Sequence, residues 1–63
     1  MKYGVVISFN SIKQSGVIKD NRTNQEYTFL KSECPHQVEM LDEVAYEIEE
    51  QGKKTMAIKV KLG

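Results

Sequence analysis

The chain has 63 residues, 40% of them hydrophobic and 29% charged, and its nine basic and nine acidic side chains cancel to a formal charge of zero. A chain this short makes one small domain, spanning residues 1–63, with no second core: it buries only about 60% of the surface its unfolded form exposes, for an expected margin of about 3–5 kcal/mol. An active-site cleft of ordinary size is not expected, which points away from an enzyme.

Apolar residues recur with period two rather than 3.6, so strands dominate. The first strand covers about 2–10 and is rich in Val, Ile, Tyr and Phe. Asn10, Ser11, Gln14 and Ser15 supply turn chemistry, and Gly16 permits a tight backbone approach or a bulge where the second strand, about 16–19, begins. Residues 20–25 form a polar loop with several members that tolerate left-handed backbone. The third strand, 26–30, alternates cleanly. Glu26, Thr28 and Leu30 fall on its solvent side, which turns Tyr27 and Phe29 to the core.

Residues 31–41 contain Pro35 and no sustained period, and they read as a long connection with one helical turn at about 31–34. The fourth strand, about 43–50, buries Val44, Tyr46 and Ile48 and turns Glu43, Glu47 and Glu49 outward. Gly52 marks a hairpin. The fifth strand, about 55–62, mixes Met56, Ile58 and Val60 with Lys59 and Lys61. Five short strands with one long connection predict a small, closed, antiparallel β-barrel, since closure removes exposed edges. The five-stranded Greek-key version of that solution is the OB-fold.

The run from Gly4 to Ile18 reads Gly-x-Val-x-x-Phe-Asn-x-x-Lys-x-x-Gly-x-Ile. It resembles the start of the bacterial cold-shock domain, roughly G-T-V-K-W-F-N-x-x-K-G-F-G-F-I. Gly4, Val6, Phe9, Asn10, Lys13, Gly16 and Ile18 keep that pattern, whereas Ser8 stands where Trp is usual and Ser15 and Val17 where Phe is usual. The family continues D-V-F-V-H-F-S-A-I, and two alignments compete. Without a gap, Tyr27 and Phe29 take ligand-facing positions. With one residue added to the loop, they face the core, and Thr28, Leu30 and Lys31 replace three ligand-stacking residues. The second is preferred, because it keeps Ser32 and sends Glu26 to solvent rather than leaving an unpaired carboxylate inside. Further on, Val44, Tyr46 and Ile48 match V-x-F-x-V, and Gly52, Ala57 and Val60 match the closing pattern.

The resemblance implies a domain that binds single-stranded RNA or DNA by stacking bases on exposed rings, each worth about 1–3 kcal/mol, with lysines for the phosphates. With most rings exchanged, weak and unspecific binding is expected. Phe9 and Lys13 are the matching residues that remain, with Lys19 and Lys31 as electrostatic support and Tyr3 nearby. Phe9 reads equally as a stacking ring or as filling at the strand end. Residues 1–19 carry Lys2, Lys13 and Lys19 with no acid, an asymmetry that suits an anion-binding face or simply a solvated one.

Ile7, Val17 and Leu30 fall on or near the altered face. They support an alternative, a protein-interaction or self-association module contacting a protein partner or a second copy of the chain. Cys34, the single cysteine, allows no internal disulfide and fits a reducing cytoplasm. Together with His36 it cannot fill the four-coordinate site of zinc, so neither metal nor cofactor is expected, and Cys34 reads as an apolar anchor under the long connection. The serines have no partner base beyond His36, and the acids look like a solvated strand face. No apolar run approaches the roughly 18 to 20 residues of a membrane helix, and the apolar run at 5–7 is too short for a signal peptide. A soluble cytoplasmic protein without membrane contact is expected.

Overall fold

Period-two alternation yields five strands in the computed structural model: β1 (Lys2–Asn10), β2 (Ser15–Asp20), β3 (Glu26–Leu30), β4 (Glu43–Gln51) and β5 (Lys54–Leu62). A 3-10 turn, Lys31–Glu33, follows β3. The structure describes residues 1–34 and 38–62. Pro35 and His36, the rest of the Cys34 triplet, lie outside the described residues. No helix among the described residues is long and apolar enough to cross a membrane.

The strands close into a barrel in the order β1-β2-β3-β5-β4. Four of the ladders are antiparallel, but β3 and β5 pair in parallel, Thr28 with Met56 and Phe29 with Ala57. The expectation of an antiparallel barrel is corrected at this seam. An odd number of strands in a closed ring cannot alternate direction all the way round. Pairing β4 with β1 leaves β5 to close on β3 in the same sense.

The core holds Val6, Ile18, Phe29, Cys34, Val44, Tyr46, Ala57 and Val60, with Phe9, Tyr27, Val38 and Ile48 half-buried against it. Phe29 is buried and Tyr27 half-buried, while Thr28 and Leu30 are exposed, so β3 faces as its alternation implies. Gly16 is needed where β2 passes the Phe29 ring: a β-carbon there would stand 2.7 Å from that ring and from the Ser8 carbonyl oxygen.

Two bulges bend the barrel. In β1, Val6 pairs with Ile18 and Ser8 with Val17, so Ile7 is the extra residue. Val6 and Phe9, three apart, thereby both turn inward. In β5, Lys59 and Val60 together oppose Tyr46, because Ala45 pairs with Lys61 and Glu47 with Ile58. Lys59 takes φ 51, the left-handed conformation of a bulge residue. Its amide donates to a carboxylate oxygen of Glu33 at 3.2 Å, tying the bulge to the 3-10 turn. The spacing of Ala57 and Val60 follows, since the extra residue returns both to the interior.

Beneath β4, the Tyr46 hydroxyl donates to Asp20 Oδ2 at 2.6 Å. Asp20 Oδ1 accepts from the amides of Arg22 at 2.8 Å and Thr23 at 3.1 Å. β2 therefore runs one residue further than its apolar pattern implies, and its last side chain is a buried carboxylate. The loop after it closes through Asn24, whose φ is 62.

Candidate functional site

The outer surface of β1, β2 and β3 is a ladder of three rungs. Val5, Lys19 and Glu26 form the first, Ser8, Val17 and Thr28 the second, and Asn10, Ser15 and Leu30 the third. Small polar and aliphatic side chains fill its centre, so no aromatic ring stands there. A stacked base would meet hydroxyl and methyl groups rather than a π-face.

Beyond the third rung the backbone brings two lysines together. Asn10 Oδ1 accepts from the amides of Ile12 at 3.0 Å and Lys13 at 3.1 Å, fixing the β1–β2 turn that carries Lys13. Gln14, at φ 56, ends that turn, and its carbonyl accepts the Lys31 amide at 2.9 Å. Lys13, Gln14, Leu30, Lys31 and Ser32 consequently line one shallow groove. Asn10 and Lys13 keep the pattern of the resemblance, and their roles are now distinct: one builds the turn and the other is displayed by it.

Of the residues singled out in the sequence, Lys13 and Lys31 are exposed and adjacent, with Leu30 beside them at 44% exposure. Lys19 is half-buried on the first rung, between Val5 and Glu26, at the other end of the ladder. Val17 is half-buried at its centre, and Ile7 occupies the bulge alongside. Phe9 turns inward opposite Gly16, half-buried, and its ring stacks on Phe29 with centroids 6.2 Å apart and planes at 29°.

Among the described residues the one ion pair is Lys59 with Glu47, at 3.7 Å on β4 and β5. Lys13, Lys19 and Lys31 have no carboxylate at that range. On the acidic strand β4, Glu43 pairs with Val5 and so continues the first rung, while Glu47, Glu49 and Glu50 lie further along that strand. The arrangement offers positive charge, from Lys13 and Lys31, at one end of an uncharged strip and a mixed rung of Lys19 beside Glu26 at the other.

Sequence reading passed over two features. Asp20 belongs to β2 rather than to the polar loop, and an Asp just before Asn-Arg-Thr is the signature of a carboxylate capping its own turn. Arg22 carries no motif in the sequence, and the hydrogen bond its backbone amide donates to Asp20 places it at the β2–β3 corner.

No family model and no curated protein matches the chain. Among solved structures, a Drosophila Unr cold-shock-domain structure, CSD456, is similar with a TM-score of 0.81 and 19% identity. The match covers 97% of this chain but 26% of that one. At this identity the likeness concerns the fold, a cold-shock-like OB barrel.

Proposed function

We propose that the chain binds single-stranded RNA or DNA weakly and with little sequence preference, as a divergent relative of the bacterial cold-shock domains. The observation that carries this reading is the pair Lys13 and Lys31, which line one groove at the end of the β1–β3 face with no carboxylate in ion-pair range among the described residues, and Lys19 adds a third cation further along the ladder. Phosphates would be held at the Lys13–Lys31 groove and again near Lys19. Between them the strip of Ser8, Val17 and Thr28 would let bases pass without gripping them. Low affinity follows, because each missing ring forgoes about 1–3 kcal/mol of stacking.

On this reading the chain is a non-enzymatic module of one domain that works in the cytoplasm without metal or cofactor. The alternative keeps the same face and gives it a protein partner or a second copy, held by Ile7, Val17 and Leu30. Two of those three are half-buried, whereas Lys13 and Lys31 are both exposed.

Titration with a mixed-sequence single strand at about 50 mM salt should show binding that falls steeply as salt rises, because counterion release drives it. Lys13→Gln and Lys31→Gln should each lower the slope of log affinity against log salt by about 1. Absence of binding at millimolar nucleic acid would remove the proposal.

A further inference from the structure

All five aromatic side chains lie among the described residues, and four of them serve the interior: Phe29 and Tyr46 are buried, Phe9 and Tyr27 half-buried against the core. Tyr3 is the exception, at 53% exposure. It alternates with the inward Gly4 and Val6, so its ring stands on the outer face. The Asn21 amide donates to the Tyr3 carbonyl at 3.0 Å, which carries the β1–β2 register one step past Asp20. Tyr3 is thus a diagonal neighbour of Lys19 on the same face. Its partner on β4 is Ala45, too small to cover a ring.

The ring borders a groove lined also by Met1, Lys2, Asp20, Arg22 and Thr23. Asp20 is 4% exposed, and its carboxylate is occupied by Tyr46 and by the Arg22 and Thr23 amides. Two cations against that one engaged anion leave the groove positive by one charge. The same carboxylate holds the Arg22 backbone in place, and the Arg22 side chain makes no ion pair among the described residues. A planar guanidinium suits phosphate better than any other side chain.

We propose that this corner is a second nucleotide contact, in which one base stacks on Tyr3 while Arg22 meets the adjoining phosphate. The inference rests on the nucleic-acid reading above and extends it. Tyr3 lies seven residues from Asn10 along β1, about 23 Å at the usual rise of a strand. A single strand lying along β1 meets the Lys13–Lys31 groove at one end and the Tyr3–Arg22 corner at the other. The ring platform of this barrel is then a single ring at the end of the sheet.

The test uses a mixed-sequence single-stranded DNA of about 12 nucleotides, within the roughly 4–16 that an OB barrel occupies, titrated into wild type and into Tyr3→Phe, Tyr3→Leu and Arg22→Gln. Tyr3→Leu retains apolar bulk without a π-face, so it should bind about 5- to 150-fold more weakly, the loss expected for one stacked base. Tyr3→Phe should match wild type. Arg22→Gln should reduce the salt slope by about 1. If wild type binds and Tyr3→Leu binds equally well, the corner is not a contact, although the general reading stands. If wild type does not bind, both are overturned.

Discussion

At Asp20 one carboxylate serves both the barrel and its loop, with Tyr46 on one oxygen and the amides of Arg22 and Thr23 on the other. The Tyr46 bond, and after it the two backbone bonds, hold the Asp20 carboxyl at about 2 against an ordinary 3.8. Burial and the same hydrogen bond push the Tyr46 hydroxyl above its ordinary value. A carboxyl depressed in the folded state contributes stability in full above its unfolded value and loses it as pH falls through the folded one. The contribution therefore disappears between pH 3.8 and about 2. Tyr46→Phe deprives a buried carboxylate of its strongest partner and should destabilise by about 1.5–3 kcal/mol near neutral pH. Urea midpoints of the variant should also fall less steeply than those of wild type over that acid window. An unchanged pH slope would mean that the Tyr46 bond does not set the Asp20 titration.

Among the elements, β5 departs furthest from a regular strand. Lys59 sits at φ 51 within it, where β propensity alone would favour a branched residue. A β-branched side chain in left-handed backbone carries strain on the order of 1–3 kcal/mol, which exceeds any gain in propensity. The exposed pair of Lys59 with Glu47 is worth about 0–1 kcal/mol. Equilibrium unfolding should accordingly rank Lys59→Gly level with wild type to within about 1 kcal/mol, and Lys59→Val below both by about 1–3 kcal/mol. A Lys59→Val variant as stable as wild type would mean that β5 runs without the bulge. The strand extents and the facing of β3 were legible in the sequence, because simple alternation reports them. The bulges at Ile7 and Lys59 were not, since an extra residue leaves no mark on composition. Val6 with Phe9, and Ala57 with Val60, carry the only trace of them, as inward residues spaced by three.

At the scale of the whole molecule, a chain of zero formal charge separates its signs by strand. Lys13 and Lys31 gather at one end of the β1–β3 face and Lys2 and Arg22 at the other, while β4 displays Glu43, Glu47 and Glu49. The lysines of the face could be named from sequence because a motif and a charge run pointed to them. Their grouping could not, because the Lys31 amide reaches Gln14 only once β3 has paired with β2. A closed ring of five strands requires one parallel seam on parity alone; what stayed hidden is its place, since no residue in β3 or β5 signals that these two strands form it. The central claim is that the outer face of β1 to β3 is where a nucleic-acid strand lies. Backbone amide NMR shifts followed during addition of a mixed-sequence oligonucleotide test it most directly. Shifts should concentrate at Lys13, Val17, Lys19 and Lys31 and be absent from the middle of β4. Silence along those four residues, or shifts gathered on the glutamates of β4, would contradict it.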